Sequence, residues 1–209
     1  MDKLTETVNT FDKYAKPYQE KFAAYEPYAK TYEKISALIE DGASILDVAC
    51  GPATISHYLL GRHLKLRVHG TDLAPSMLAL ARAAIPSGVF ELRDSRDIVS
   101  IGKHFDAVIA GFCVAYLDKA EVEKFVSDAR SMLRAGGILY LSTMAGDYAD
   151  SGYQDPERED RVYTYFYNEE FLQDLLNKNG FEILALERKA YPQNDRADTI
   201  DLFFYAKVV

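Results

Sequence analysis

The sequence predicts an α/β fold in which helices cover both faces of a mostly parallel sheet. Apolar runs of strand length alternate along the chain with helical segments, which is typical of right-handed crossovers between parallel strands. The last two apolar runs are separated only by a short polar turn, which makes the final strand antiparallel. A chain of 209 residues that is 48% hydrophobic can bury one full core and is short for two. We therefore expect a single domain over residues 1–209.

Residues 1–42 are predicted to form a cap of short helices. Aromatic side chains recur every three or four residues from Phe11 to Tyr32, which is helical spacing. Pro17 and Pro27 are expected to break this stretch, because proline lacks the N–H that continues a helix. The glycine of Asp41-Gly42 ends the cap.

Residues 43–144 are predicted to form the cofactor-binding core of the sheet. The predicted strands are Ser44–Val48, Leu66–Thr71, Val89–Arg93, Phe105–Ala110 and Ile138–Thr143. The predicted helices are Thr54–Arg62, a helix from Pro75 to Ala84, and a helix from Asp118 to Leu133. Glu121 follows Asp118 at the spacing of a capping box, and Gly136-Gly137 are expected to stop this helix.

The remaining residues are predicted to form a loop-rich excursion over residues 145–168 and a C-terminal unit over residues 169–209. That unit contains the helix Glu169–Lys178, with Gly180 as its stop, and the strands Phe181–Arg188 and Thr199–Lys207. The polar turn from Pro192 to Asp198 joins the two strands as a hairpin.

Polar residues follow three consecutive strands of the predicted sheet. Gly51 comes after the first strand, Asp72 ends the second strand twenty-one residues later, and Asp94 with Ser95 follows the third. In an open parallel sheet, ligands bind outside the carboxyl ends of the strands, near the point where the strand order reverses. Gly51 allows close backbone approach, and Asp72 is placed to accept hydrogen bonds from both ribose hydroxyls of an adenosine. Asp94 and Ser95 suit an adenine edge.

Each of these residues also has a structural interpretation. Asp47 inside the first strand is a candidate for a buried acid that supports the glycine loop. Asp72 is suited to cap the next helix, and Asp94 is suited to an ordinary turn. The N-terminal tyrosines are compatible with core packing as well as with contacts to a ligand.

Six stretches, in their order along the chain, resemble the class I S-adenosylmethionine-dependent methyltransferases. They are ILDVACGPA, VHGTDLAPSML, ELRDSRDI, FDAVIAGFCVAYL, RSMLRAGGILYLSTM and FLQDLLNKNGFEIL, and the resemblance extends from about residue 10 to the end of the chain. It implies a Rossmann-like, doubly wound, seven-stranded and mostly parallel sheet with an antiparallel last strand. It also implies S-adenosyl-L-methionine as the cofactor.

By that resemblance, Ala49 and Gly51 would line the methionine part of the cofactor, with Asp47 supporting their loop. The other cofactor contacts would be Asp72 at the ribose, Leu73 and Met77 near the adenosine, Asp94 and Ser95 at the adenine edge, Phe112 beside the cofactor, and Tyr14 and Tyr18 from a covering helix. Where the loop of the family reads G-x-G-x-G, this chain has Ala49, Gly51 and Ala53, so two methyl groups stand at positions of close approach.

The acceptor pocket is predicted to come from the helical cap and from the excursion, which we interpret as a substrate lid. Its tyrosines would wall a pocket for a flat or apolar small molecule. RVYTYFY alternates like a strand, which puts Tyr163, Tyr165 and Tyr167 on one face, and Tyr148 is the fourth candidate. A solvated acidic loop is the alternative. No residue is identifiable as the catalytic base, and the sequence fixes neither the acceptor atom nor the oligomeric state.

Composition argues against several classes of function. A net charge of −8 disfavours nucleic acid as a partner. No segment approaches the length of a membrane helix, and Met1 to Glu20 lacks the features of a signal peptide. We therefore expect a cytoplasmic protein with a small-molecule acceptor and no membrane partner. Cys50 and Cys113 are expected to be reduced, and the four histidines show no metal-ligand spacing, so no metal is expected.

Two competing functions stay open. A dinucleotide-dependent oxidoreductase would need glycines at positions 49, 51 and 54 for its fingerprint, and this chain has Ala49 and Thr54. A non-catalytic protein that binds S-adenosylmethionine is favoured by Ala49 and Ala53 alone. The leading prediction is methyl transfer from S-adenosylmethionine to a small-molecule acceptor by in-line displacement, driven mainly by proximity and desolvation.

Overall fold

A computed structural model describes residues 2–23, 25–154, 159–192 and 198–209. Its strands are β1 (Ser44–Val48), β2 (Arg67–Asp72), β3 (Val89–Leu92), β4 (Phe105–Gly111), β5 (Leu133–Met144), β6 (Gly152–Gln154), β7 (Val162–Thr164), β8 (Phe181–Tyr191) and β9 (Thr199–Val208). Its α-helices are α1 (Lys3–Lys13), α2 (Ala15–Phe22), α3 (Glu26–Ser36), α4 (Thr54–Leu60), α5 (Pro75–Ala84), α6 (Lys119–Met132) and α7 (Glu169–Lys178). Short 3₁₀ turns at Ser95–Ile101, Val114–Tyr116 and Tyr148–Asp150 follow β3, β4 and β5.

Seven strands form one sheet in the order β3-β2-β1-β4-β5-β9-β8. β1 pairs in parallel with both β2 and β4, so the strand order reverses at β1. β9 is inserted antiparallel between β5 and β8, and the predicted fold class is confirmed. Because β9 runs against the parallel strands, its first residues lie at the edge where those strands end, and Asp201 pairs with Met144.

Both faces of the sheet are buried, because successive side chains of a strand point to opposite faces. On one face, Leu46 and Val108 belong to an apolar cluster with residues of α6 and α7. On the other face, Ile45 and Ile109 belong to a cluster with residues of α3, α4 and α5. Burial on both sides explains why these strands read as almost continuous apolar runs.

The N-terminal helices break at positions other than those predicted. α1 ends at Lys13 and α3 begins at Glu26, so Pro17 and Pro27 each lie in the first turn of the helix that follows the break. A proline there removes no hydrogen bond of the helix, because the first N–H groups have no partner within it. The prolines therefore mark where helices begin.

β5 begins earlier than predicted. α6 opens with the predicted capping box of Asp118 and Glu121 but ends at Met132. Gly136-Gly137 then lie inside β5 rather than after the helix, and the pairing of β5 with β4 shifts register across them. A φ of 71° at Gly136 is a conformation that glycine adopts without penalty, and it allows the strand to bulge there.

Three smaller predictions concern the hairpin, the cysteines and membrane helices. Of the predicted turn from Pro192 to Asp198, residues 193–197 lie outside the described residues, and β8 and β9 pair from Tyr191 and Thr199 onward. Cys50 and Cys113 are buried free thiols, as expected. In the part of the chain that the structure describes, no helix combines the length and the apolar character that crossing a bilayer requires.

The packing around Gly70 in β2 leaves no room for a side chain. A Cβ atom there would lie 2.5 Å from Cδ1 of Phe90 and 3.0 Å from Sγ of Cys50, and both neighbours are buried. We expect Gly70→Ala to lower the free energy of unfolding in urea by about 1–3 kcal/mol. Gly152→Ala is the control, because a Cβ atom there meets nothing within 4 Å. Equal losses in the two variants would contradict this account.

Candidate functional site

A cavity of about 310 Å³ lies at the carboxyl edge of the sheet. Residues that follow β1 to β4 form its floor, and residues of α1, α2 and α3 cover it. The ends of β5 and β8 and the start of β9 form its far wall. Nine of the residues predicted to bind the cofactor line it: Tyr18, Asp47, Ala49, Gly51, Asp72, Leu73, Met77, Ser95 and Phe112. Tyr14 and Asp94, the other two residues of that prediction, do not line it.

The loop after β1 takes the left-handed conformation at three alternate positions. The φ angle is 52° at Ala49, 53° at Gly51 and 60° at Ala53. This conformation costs alanine roughly 1–2 kcal/mol at each position, and such strain clusters at ligand sites because the surroundings hold it in place. Ala49 lines the cavity, whereas Ala53 is fully buried beside it. The two methyl groups are thus accommodated without closing the cavity.

Asp72 joins the loop after β1 to the loop after β2. Its Oδ2 accepts the N–H of Gly51 at 2.8 Å, and its Oδ1 accepts the N–H of Ala74 at 2.8 Å. Ala74, not Asp72, occupies the capping position of α5. Burial raises the pKa of Asp72, and the bonds from backbone N–H groups oppose that shift. A carboxylate has about four lone-pair sites, so Asp72 keeps the capacity to accept two hydroxyl groups from the cavity.

Asp47 lies deeper at the same edge and combines both interpretations of its sequence position. Its Oδ2 accepts the hydroxyl of Ser56 at 2.5 Å, which ties β1 to α4. Its side chain also lines the cavity. Burial raises the pKa of Asp47 to about 7, and the nearby charge of Asp72 adds to the shift. A carboxylate held in this way is well placed to accept a cationic group of a ligand.

Of the two predicted residues after β3, one lines the cavity and the other forms an ion pair. Ser95 lines the cavity. The carboxylate of Asp94 instead accepts Nη2 of Arg96 at 2.6 Å and Nε of Arg96 at 3.0 Å, and it accepts the N–H of Arg96 at 2.8 Å. Asp94 therefore opens the 3₁₀ turn, which is the structural interpretation of this residue, and only Ser95 faces the cavity.

The N-terminal helices place one of the two predicted tyrosines over the cavity. Tyr18 on α2 lines it and packs on Phe11 and Phe22, with ring centroids 5.8 and 4.6 Å away. Burial raises the pKa of the Tyr18 hydroxyl to about 12, and the carboxylate of Asp72 contributes. Tyr14 points elsewhere: it is 43% exposed, and its hydroxyl donates to Asp160 at 2.8 Å.

α1 adds four lining residues that the sequence reasoning missed: Leu4, Thr7, Val8 and Phe11. Three of them are ordinary apolar or small side chains that precede the aromatic stripe, so only their helical spacing from Leu4 to Phe11 could have indicated one face. α1 starts at Lys3 because Asp2 accepts the N–H of Leu4 at 2.9 Å. Because of this N-cap, α1 covers the cavity for more than two helical turns before the aromatic residues begin at Phe11.

The tyrosines of the excursion do not line the cavity. Tyr148 stacks on Tyr165 at 5.9 Å, and Tyr163 packs on Tyr165 at 4.8 Å. Tyr167 is buried and its hydroxyl donates to the carbonyl of Leu117 at 2.5 Å. The structure therefore brings these four tyrosines together with one another, outside the pocket that they were predicted to wall.

The excursion instead holds α1 in place. The N–H of Tyr163 donates to Oγ1 of Thr7 at 3.0 Å, Arg161 pairs with Glu6 at 3.1 Å, and Thr10 donates to the carbonyl of Arg161 at 3.1 Å. Because Thr7 both accepts this bond and lines the cavity, the excursion acts on the cavity through α1. Residues 155–158 of the predicted lid lie outside the described residues.

The far wall of the cavity contains a second polar group, which the sequence reasoning did not identify. Asp201 at the start of β9 is 2% exposed, and its Oδ2 accepts the hydroxyl of Tyr28 at 2.5 Å. Both residues line the cavity, together with Met144, Tyr191 and Thr199. The signal was an acid at the head of the apolar run LFFYA, the same pattern as Asp47 within ILDV.

Comparisons with known proteins agree with this geometry. Residues 45–137 match a family model described as a methyltransferase domain. A malonyl-[acyl-carrier protein] O-methyltransferase of Enterobacter lignolyticus is 33% identical over 105 residues, which cover 50% of this chain and 40% of that protein. A putative methyltransferase of Bacillus subtilis, YqeM, is 29% identical over 159 residues, which cover 70% of this chain and 62% of that protein. The chain thus spans less than two thirds of the length of either relative.

A solved structure extends the likeness to the whole sheet. The magnesium protoporphyrin IX methyltransferase ChlM of Synechocystis PCC 6803, determined with bound SAH (S-adenosylhomocysteine), superposes with a TM-score of 0.73. The match covers 100% of both chains at 16% identity. At that identity the likeness establishes the fold.

Gly51→Ala separates strain in the loop from conflict with a ligand. A Cβ atom there would lie 3.9 Å from both Sδ of Met77 and Cε1 of Tyr18, so it would occupy cavity space without striking the protein. We expect stability to fall by about 1–2 kcal/mol from the left-handed backbone, while the affinity for S-adenosylmethionine, measured by calorimetry, falls by roughly tenfold or more. Gly102→Ala is the control: it has the same kind of strain at φ 66° and open space around it. Equal affinities in the two variants would refute the close approach at Gly51.

Asp72→Ala tests the carboxylate that faces the cavity. Loss of two charge-assisted hydrogen bonds should lower the affinity for S-adenosylmethionine by about 2–4 kcal/mol. Asp106→Ala is the matched control, because Asp106 also accepts a backbone N–H, that of Ser44 at 2.7 Å, but lies at the start of β4, on the opposite edge of the sheet. An Asp72→Ala variant that stays folded and loses less than about threefold in affinity would show that Asp72 has no role in binding.

Proposed function

We propose that this chain is a class I S-adenosylmethionine-dependent methyltransferase and that it methylates a small molecule. Its match to a methyltransferase domain over residues 45–137 and the fold of its sheet support the proposal. The observation that carries the proposal is the cavity itself. It continues from the ends of β1 to β3, which suit a nucleoside, to the aromatic wall by β9, which suits an acceptor. One continuous cavity thus joins an end that suits a donor to an end that suits an acceptor.

The residues at the ends of β1 to β3 fit S-adenosylmethionine, which supplies an activated methyl group. We assign the ribose hydroxyls to the free lone pairs of Asp72 and the adenine to the space between Leu73, Met77 and Ser95. The methionine part would follow the loop of Ala49 and Gly51, with Asp47 beneath it. Phe112, left-handed at φ 56° after β4, lies between this end and the far wall.

The catalytic contribution of the chain is alignment and exclusion of water. Displacement at a methyl carbon needs the nucleophile and the leaving sulfur in line, and holding them so removes much of the entropic barrier. The cover of Leu4, Val8 and Phe11, together with Tyr18, supplies apolar surface over the cavity. Because positive charge disappears from sulfur as the methyl group moves, an apolar cover favours the transition state over the charged reactants.

We assign the excursion of residues 145–168 to the control of this cover. Its bonds to Thr7, Glu6 and Thr10 hold α1 against the cavity. In this role the excursion positions α1 over the cavity. It does not contact the acceptor with its own tyrosines, in contrast to the prediction from the sequence. Entry of ligands would then require α1 and the β6–β7 hairpin to move together.

The competing functions make different demands on the cavity. A dinucleotide would need close approach at positions 49 and 54, where Ala49 and Thr54 both line the cavity with side chains. A protein that binds S-adenosylmethionine without turnover would need no second polar group at the far wall. The far wall nevertheless contains Asp201. Methyl transfer is therefore the function that uses the whole cavity.

Calorimetric titration with S-adenosylmethionine, S-adenosylhomocysteine and NAD tests the proposal. We expect micromolar binding of the first two ligands and none of NAD, followed by methylation of at least one member of an acceptor panel, detected as S-adenosylhomocysteine released. Asp106→Ala should bind as the wild type does, which controls for general effects of substitution. Binding of NAD alone would overturn the proposal, and binding of S-adenosylmethionine without any turnover would favour the non-catalytic alternative.

A further inference from the structure

Asp201 is a buried carboxylate at the acceptor end of the cavity that the binding of S-adenosylmethionine does not use. It lies on β9, beside the end of β5 and three strands from β1 in the sheet order. With neighbouring strands about 4.8 Å apart, β9 lies about 14 Å from β1 across the sheet. The side chain of Asp201 is 2% exposed and lines the cavity. Within the described residues, Tyr28 is its one hydrogen-bond partner.

The charged groups around Asp201 leave it without a cation. Lys189 lies opposite Asp201 in the pairing of β8 with β9, but its Nζ pairs with Glu187 at 3.7 Å. Arg93, the positively charged residue of the described lining, is held by Glu91 at 3.0 Å, beyond the end of β3. The remaining titratable neighbours are the hydroxyls of Tyr25, Tyr28, Tyr116 and Tyr191 and the ammonium of Lys21. Nζ of Lys21 lies over the ring of Tyr191, 5.4 Å from its centroid. Burial raises the pKa of Asp201 to about 6, and the bond from Tyr28 limits the rise.

Aromatic rings surround this carboxylate. The ring of Tyr28 lies 5.6 Å from that of Phe112 and 4.8 Å from that of Tyr25, and Tyr25 lies 5.8 Å from Tyr191. Tyr28, Phe112 and Tyr191 line the cavity together with Phe22. A carboxylate among the faces and edges of aromatic rings is the chemistry that binds ammonium groups, through an ion pair and cation–π attraction.

We propose that the acceptor of this methyltransferase is an amine, and that Asp201 binds its ammonium form and takes its proton. The inference rests on the proposed function and deepens it. An ammonium group would neutralise the buried charge of the Asp201 carboxylate, which otherwise destabilises the folded state. Oη of Tyr28 keeps a lone pair that can accept a second N–H of the ammonium. A carboxylic acid would instead place like charges together, because no positively charged residue lines the described far wall and Lys21 lies over the rings of Phe22 and Tyr191.

The step balances in atoms and charge. The bound ammonium gives one proton to the Asp201 carboxylate, which becomes a carboxylic acid. The lone pair left on nitrogen attacks the methyl carbon, an N–C bond forms, the C–S bond breaks, and its electron pair stays on sulfur. The methylated nitrogen carries the positive charge that the sulfonium lost. One sulfonium and one carboxylate thus become neutral, which a cavity poor in water favours.

Titration of the protein saturated with S-adenosylhomocysteine tests the inference. The probes are benzylamine and phenethylamine, with benzyl alcohol and phenylacetate as their neutral and acidic counterparts, and binding is followed by calorimetry. We expect the amines alone to bind, and Asp201→Asn to weaken them by roughly tenfold or more while leaving S-adenosylhomocysteine unchanged. Asp174→Asn on α7 is the control, because it makes the same change of charge at an exposed position.

The outcomes separate the two proposals. Failure of S-adenosylhomocysteine to bind would overturn the proposed function. Normal binding of S-adenosylhomocysteine combined with no binding of either amine, with preferential binding of phenylacetate, or with amine affinity unchanged in Asp201→Asn would overturn the amine proposal alone.

Thermal unfolding distinguishes a binding role of Asp201 from a structural tether. Asparagine keeps an oxygen for the hydroxyl of Tyr28 and removes the buried charge. Because the pKa of Asp201 is raised from 3.8 to about 6, its carboxylate destabilises the folded state increasingly as pH rises through that interval. We expect Asp201→Asn to raise Tm by a few degrees at pH 7.5 and by less at pH 4.5. A lower Tm at pH 7.5 would identify Asp201 as a tether and overturn the proposal.

Discussion

The carboxylate of Asp72 is the contact on which the site depends. By accepting the N–H groups of Gly51 and Ala74, it joins the loops that follow β1 and β2. That junction lies where the strand order reverses, so it fixes the floor of the cavity at the point where two loops diverge. The left-handed backbone at Ala49 and Ala53 is strained on its own, and a tethered loop is what allows alanine to stand there. The same carboxylate keeps two lone pairs for a ligand, so structure and binding share one group.

The direction of β9 determines where chemistry other than cofactor binding can occur. A parallel strand would have brought its carboxyl end to this edge, whereas β9 brings its first residues, and with them Asp201. Tyr28 reaches it from α3, across the aromatic cluster that includes Phe112 and Phe203. The cavity therefore has two polar ends, Asp47 with Asp72 and Asp201 with Tyr28, separated by an apolar middle where Phe112 stands. Two polar ends and an apolar middle suit a charged donor and a charged acceptor whose reaction neutralises the sulfonium and the carboxylate of Asp201.

The sequence allowed most of the sheet and the cofactor end to be predicted, because those features are local. Gly51, Asp72 and Ser95 each follow a strand, and strand ends meet at one edge whatever the detailed packing. Asp94 obeys the same rule but pairs with Arg96 two residues later, which strand counting cannot reveal. Tyr28 and Asp201 are 173 residues apart and meet only through the register of β9. The tyrosines of the excursion were predicted from composition, and composition does not distinguish rings that face a ligand from rings that stack on one another.

The distribution of unfavourable features bears on whether this fold only binds its cofactor or also uses it. The strain at Ala49 and Ala53 and the burial of Asp47 and Asp72 all lie at the cofactor end, where binding alone would account for them. Phe112 and Asp201 do not. A left-handed phenylalanine costs roughly 1–2 kcal/mol, and a buried carboxylate with no cation is more costly still, yet both stand on the acceptor side of the cavity. Folding alone would be better served by an apolar residue at 201, next to Met144 and under Tyr28. A destabilising carboxylate kept at that place favours a second reactant over a site that holds only the first.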